Sequence, residues 1–399
     1  MITNILIAIV IGIILGIFTG LTPGIHINLI SVLILSLSTY FLDFINIFFL
    51  AIVIISMAVT HTFLDTIPSV FLGAPESDTA LSILPGHKLL LQGKGYEAVM
   101  LTVIGSLGGL ILCVSIVPLI IYLIPIIYPY IQLIIGYLLL LVSLFLIFKE
   151  SKSRLWAFIV FTLAGVLGMI VLNSPLLEEP LFPLLSGLFG TSMLFLSLKD
   201  NVKIPEQKEF KFEIKAKDCG KAIFASVIAG WVCSFMPGLG PAQGAILAST
   251  IIKLEQKLFM VLVGGLSTVN MVLSFVTLYT LGKARNGAIV AVSELITEIS
   301  LKQLVTFLFV ALVVGGIATM LAMNISKLFG KFMSKVNYRI LCLSIISLIV
   351  ILCFFLSGVM GLFVLFVSTC VGIIPQVKGI GRNHMMGCLL LPVMLYFLI

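Results

Sequence analysis

The stretch Gly20-Leu21-Thr22-Pro23-Gly24-Ile25-His26-Ile27-Asn28 interrupts a long apolar run. A second interruption, Ser234-Phe235-Met236-Pro237-Gly238-Leu239-Gly240-Pro241-Ala242-Gln243, follows 214 residues later, counted from Pro23 to Pro237. Proline has no backbone N–H to donate and clashes with the preceding turn, and glycine tolerates conformations that other residues avoid, so a helix arriving at either stretch stops there. In hydrocarbon such a stop survives only where protein buries the freed backbone or where it lines a polar cavity, and in transporters half-helix ends of this kind hold substrate and ions. Each break is therefore a candidate binding site.

The surrounding composition sets the class. With 61% hydrophobic and 10% charged residues over 399 positions and a mean hydropathy of +1.29, the chain reads as an all-α polytopic membrane protein, multi-pass in the cell membrane; soluble domains carry roughly 25% charge. The first apolar run, Ile5 to Phe18, lacks a basic leader and a small-residue cleavage site, so it reads as a retained span. Seven scattered cysteines form no Cys-x-x-Cys pair and find no histidine spacing suited to zinc, so no metal site is expected. The net charge of +7 sits largely in short loops, the positive-inside pattern, with no basic domain to bind nucleic acid.

Seven apolar segments, near 5–20, 27–42, 44–72, 98–124, 128–148, 155–173 and 181–198, precede a polar stretch. Seven more follow, near 221–236, 241–252, 258–282, 303–323, 340–356, 359–374 and 384–398. The expected organisation is a first membrane repeat over 1–198, a polar cytoplasmic linker over 199–220 and a second membrane repeat over 221–399. Leu72-Gly73 and Leu281-Gly282 lie 209 residues apart, so a five-residue gap reconciles the two registers. Lysine and arginine in the loops, together with an odd number of crossings per half, predict two inverted repeats. Residues 74–97 then fall inside and 283–302 outside.

Thr22, His26 and Asn28 flank the first break; Ser234, Gly238, Gly240 and Gln243 flank the second. A helix starting after either break exposes unpaired N–H groups and a partial positive charge of about half a unit, a setting for carboxylate or phosphate. The plain alternative is a kink between packed helices. His61 and Asp65, four residues apart in an apolar stretch, share a helical face and are the candidates for coupling transport to a proton or a sodium ion; mutual satisfaction is the structural alternative. Asn270 is the repeat-equivalent of His61 and joins the candidate substrate residues. Lys283 to Gly287, with Glu294 and Glu298, reads as a gate or as a solvated face. No His-Glu-x-x-His, Gly-x-Ser-x-Gly or phosphate-binding loop occurs, so the chain is not expected to be an enzyme or an ATP-driven pump, and no cofactor is expected beyond the coupling ion.

Gly20 to Gly24, then Ile67-Pro68-Ser69-Val70-Phe71-Leu72-Gly73-Ala74-Pro75, Leu84-Pro85-Gly86-His87-Lys88-Leu89, Gln92-Gly93-Lys94-Gly95 and Pro237 to Ala242 resemble the large membrane subunit of tripartite tricarboxylate transporters, the TctA family, in particular its stand-alone archaeal branch. The resemblance covers most of the chain and implies a permease for di- or tricarboxylates, driven by sodium or protons, with substrate at the two Pro-Gly regions. Thr60-His61-Thr62 stands where bacterial members carry small residues, and the family's second-half Pro-Glu-Ala-Asn-Asn-Ala stretch has only Arg285 to Ala288 as its nearest counterpart. A small-molecule anion and membrane lipid are the expected partners, with a homo-oligomer left open; a binding protein or small membrane subunit is not contained in the 399 residues. The breaks also resemble those of polyprenyl-phosphate translocases, the alternative function, in which the same helix ends would grip phosphate.

Overall fold

A computed structural model describes the chain except residues 1, 23–26, 42–45, 74–82, 151, 178, 199–204, 208–213, 237–239, 253, 285, 297, 334–337 and 399. Every regular element among the described residues is helical, and eight helices are long and apolar enough to cross a membrane. Two of them form the centre: α3 (Ile47–Leu64), continued by α4 (Thr66–Phe71), and α12 (Gln256–Leu281). Side chains from Leu50 to Phe71 and from Met260 to Leu278 are buried throughout, as expected of helices apolar on every face.

Small residues set how closely the neighbours approach. Helix α1 (Ile2–Leu21) runs in the same direction as α3, with Gly12 against Ser56, Gly16 against Thr60 and Gly20 against Leu64. Helix α10 (Ala216–Phe235) runs likewise along α12, with Ser226 against Gly265 and Gly230 against Val269. These pairs recur at the offsets already seen in the sequence: 214 residues from α1 to α10 and 209 from α3 to α12. Gly73 and Gly282, also 209 apart, both adopt left-handed backbone, with φ of 65° and 62°, which glycine takes at no steric cost.

The two central helices run in opposite directions. The start of α3 and the end of α12 share Phe307, stacked on Phe48 at 5.4 Å and 6.1 Å from Phe275. Near the other end, Gly86 lies between Val70 and Met260. Between them Thr268 donates to Thr62 at 3.1 Å. The outer helices are exchanged between the halves. Gly168 of α7 (Arg154–Leu172) packs on the Cys388 carbonyl of α16 (Gly387–Leu398), while Gly372 of α15 (Tyr338–Lys378) packs on the Leu188 carbonyl. Gly387 meets the Phe161 carbonyl and Gly187 the Leu365 carbonyl, a reciprocal pair.

Two expected boundaries look different in space. Segments 98–124 and 128–148 form one helix, α6 (Gly95–Lys149), of 55 residues containing Pro118, Pro125 and Pro129. If straight it would run about 82 Å, well beyond one bilayer core, and its helicity persists because prolines inside apolar helices are tolerated where neighbours re-satisfy the backbone. Segments 340–356 and 359–374 join in α15, bent at Gly358 with φ 61° and ψ −159°.

At one end of the molecule the linker residue Gln207 accepts from Gly95 N–H at 2.7 Å and donates to the Leu90 carbonyl at 3.3 Å. Lys257 pairs with Glu97 there, and Lys327 of α14 (Leu301–Met333) lies 5.7 Å from the centre of the Tyr96 ring. The basic loops predicted to be cytoplasmic thus include a set that gathers at a single end.

Candidate functional site

Pro23, Gly24, His26, Pro237 and Gly238 lie outside the described residues, so the site is defined by what flanks them. Thr22 closes α1, its N–H donating to the Phe18 carbonyl at 3.1 Å. Asn28 opens α2 (Ile27–Phe41), and its Oδ1 accepts at 3.1 Å from the N–H of Ala288, 260 residues away. Ala288 belongs to the first turn of α13 (Gly287–Leu295). Asn286 caps the same turn, accepting from Ile289 N–H at 2.9 Å, and its Nδ2 lies 3.8 Å from Met271 Sδ. Helix α12 runs on ten residues beyond Met271 to Leu281. After Gly282 the chain therefore turns back toward the middle of α12 before α13 begins. The amino terminus of α13 thus lies beside Met271, and Asn28 meets it there.

The other end of this segment reaches the flank of the second break through Tyr128. Lys283 Nζ donates to Tyr128 Oη at 3.1 Å and lies 4.7 Å from the ring centre. The buried Tyr128 ring sits edge-on to Phe235 at 6.2 Å, and Trp231 packs on Phe235 at 5.8 Å. Phe235 is the last residue of α10, two before Pro237. Beyond the break, Gly240 N–H donates to Oε1 of the buried Gln243 at 3.0 Å, and Pro241 occupies the first position of α11 (Pro241–Ile251), where its missing N–H costs nothing. The seven residues Gly282 to Ala288 thus connect the flank of one break to the flank of the other.

His61 and Asp65 are both buried. His61 Nδ1 lies 3.2 Å from Thr19 Oγ1 on α1. Asp65 stands at the junction of α3 and α4 with helical backbone (φ −59°, ψ −24°), donating its N–H to the His61 carbonyl at 2.9 Å and accepting from Ser69 Oγ at 3.0 Å through its own carbonyl. Thr62 joins Thr268 on α12, and Thr66 joins Thr102 on α6 at 3.0 Å. Polar side chains of α3–α4 therefore address α1, α12 and α6 in turn. Among the sequence candidates, Asn28 meets the start of α13, and Asn270 lies on the buried face of α12. The role of Asn286 and Lys283 in connecting the breaks was not readable from sequence spacing; the left-handed Gly282 was its local sign.

A separate charged cluster lies near the junction of α6, α7 and α15. Glu150 accepts from Gly381 N–H at 2.9 Å and meets His384 Nε2 at 3.2 Å, while the buried Arg382 donates to Gln376 Oε1 at 2.6 Å and to the Phe189 carbonyl at 3.4 Å. Burial pushes Arg382 down to about 10 and depresses His384, against the raising effect of Glu150. Burial acts to raise Glu150, but hydrogen bonds from Gly381, His384 and Lys152 outweigh it and hold the carboxyl below its usual range.

Residues 6–387 match the family described as the tripartite tricarboxylate transporter TctA family. An uncharacterized protein of Methanocaldococcus jannaschii is 32% identical over 387 residues, covering 94% of each chain. No solved structure matches the chain.

Proposed function

The chain belongs to the tripartite tricarboxylate transporter TctA family, whose members are multi-pass membrane transporters, and from that premise we propose that it is an ion-coupled secondary carrier of a small organic anion, di- or tricarboxylate-like. The observation that carries the reading is the Gly282–Ala288 segment, which ties the flank of one Pro-Gly break to the flank of the other and ends on the amino terminus of α13. There the Ala288 and Ile289 amides already donate to the carboxamide oxygens of Asn28 and Asn286. A carboxylate oxygen is the same kind of acceptor with a full charge, and a helix start favours that charge by about 0.3–1 kcal/mol at exposed sites and up to about 2 in partly buried ones. The Ala288 and Ile289 amides, with Asn28 beside them, are the proposed seat of the cargo carboxylate.

The halves are proposed to be inverted repeats that exchange access by rocking against each other. The antiparallel run of α3 and α12, the recurring offsets and the exchanged outer helices support this. His61 and Asp65, within one helical turn of the Thr62–Thr268 contact between α3 and α12, are the proposed coupling pair, taking a proton or a sodium ion. Thr22, His26, Asn28, Gly240, Gln243 and Asn270 are the proposed cargo residues, with Pro23, Gly24, Pro237 and Gly238 shaping the breaks.

Purified protein in liposomes, given labelled citrate or succinate with and without a sodium or proton gradient, tests the proposal. Gradient-dependent uptake by wild type that is lost in Gly24→Leu and Gly238→Leu, with both variants still inserted, is the expected result. Undiminished uptake in both variants would refute it, and movement of polyprenyl phosphate instead of carboxylate would transfer the site to the lipid-carrier reading. Because the family is described as tripartite, uptake by this chain alone also reports whether a binding protein or small subunit is required.

A further inference from the structure

We infer that Lys283, held on the ring and hydroxyl of Tyr128, is a charge-selecting residue beside the flank of the second break, drawing in cargo with two or more negative charges ahead of singly charged anions. This deepens the anion-carrier reading and depends on it. An ammonium group has three N–H donors. Tyr128 Oη takes one, at 3.1 Å, and the ring lies beneath the cation with its centre at 4.7 Å, a hold that fixes the group without neutralising it.

Among the described residues Lys283 has no carboxylate in ion-pair contact, in contrast to Lys257, which is paired with Glu97. Two donors and a full charge therefore remain for an external anion. Position follows from the backbone: left-handed Gly282 ends α12 and turns the next residue toward α6, and a side-chain carbon built on Gly282 would meet nothing within 4 Å, so this face is open. Tyr128 itself is buried and braced by Phe235, the last helical residue before the break. The cation thus stands on a rigid aromatic support that rests on the flank of the break at Phe235. Five residues on, the same segment meets Asn28 at the start of α13, so an anion recruited at Lys283 has the proposed binding site ahead of it along one stretch of chain.

Attraction to a fixed cation grows with the charge of the ligand and is screened by salt. Lys283→Gln should raise KM for succinate about five- to ten-fold with little change in kcat, the loss expected from about 1–1.4 kcal/mol of charge interaction. KM for butyrate, which carries one carboxylate, should change less than two-fold, and 0.5 M salt should shrink the succinate effect. Lys283→Arg should retain most of the selectivity, and Tyr128→Phe, which keeps the ring but loses the hydroxyl, should fall between. Equal KM values for wild type and Lys283→Gln on succinate, or equal losses on succinate and butyrate, would overturn the inference while leaving the carrier intact. So would loss of membrane insertion or thermal stability in Lys283→Gln, which would make the residue structural. Wild-type protein that moves neither anion would instead remove the carrier reading.

Discussion

In the proposed inverted-repeat plan, helix α12 and the α3–α4 pair hold the same place in the two halves and carry different chemistry. Ser56 on Gly12 and Gly265 on Ser226 are the same contact with the partners' sizes exchanged, and Thr60 on Gly16 answers Val269 on Gly230. Yet where the first half has His61 and Asp65, the second has Asn270 and Ser274, and Ser274 Oγ only donates back to the Asn270 carbonyl at 2.7 Å. Contacts made through small residues depend on shape and survive in both copies. An ionisable group inside a membrane is costly and persists where it has a task, so its confinement to one copy fits a division in which one half couples and both bind.

The harshest way to break this comparison is to disturb the shared contacts. Gly16→Leu and Gly230→Leu each place a side chain where a first carbon would already lie 2.5 Å from Thr60 Cβ or 2.7 Å from Val269 Cγ1. Each should lower stability by about 3 kcal/mol or prevent folding, read as the melting temperature in detergent, and a large loss in one variant only would end the equivalence of the halves. Next comes the chemistry that differs. Asp65→Asn should reduce ion-dependent uptake about ten-fold or more, a change of about 1.4 kcal/mol or more in the coupled step, while Ser274→Ala at the equivalent position should stay within about two-fold. Comparable losses in both would place coupling outside Asp65.

A smaller effect is expected where the halves meet. Asn28→Ala removes an oxygen from the first turn of α13 and should cost about 1 kcal/mol of stability, as lost helix caps do; an unchanged melting curve would show that Ala288 finds another acceptor. The smallest change belongs to the peripheral cluster. Since the His384 pKa is lowered in the folded protein, the unfolded chain binds more protons just below pH 6.5, so stability is full above that pH and declines as pH falls through the folded value. The depressed Glu150 adds a further loss only in the acid range, as pH falls through its own folded pKa. His384→Gln should flatten the melting temperature between pH 7 and pH 5, and a slope equal to wild type would assign it to other groups.

Much of this plan is written in local sequence. Helix α1 ends at Leu21 and α10 at Phe235, each two residues before a Pro-Gly pair that lies outside the described residues, and Leu72-Gly73 and Leu281-Gly282 mark left-handed turns, because only glycine takes that backbone without strain. What was not legible depends on contacts across great separations. Asn28 meets Ala288 at 260 residues and Glu150 meets His384 at 234, and neither pairing leaves a spacing pattern. Lys283 to Gly287 reads as a gate or a solvated face because charge in a short loop looks the same whether it faces water or turns back along a neighbouring helix. The continuity of α6 was hidden for the opposite reason: Pro118, Pro125 and Pro129 signal a break that the surrounding helix absorbs.

The most direct test of anion binding at the start of α13 is labelled-carboxylate uptake by Asn28→Asp in proteoliposomes. The substitution keeps the shape of the side chain and installs the cargo's own charged acceptor on the Ala288 amide. Uptake should fall to background in a protein that remains folded and is no longer stabilised by added citrate or succinate. Uptake with wild-type KM and kcat would contradict the account.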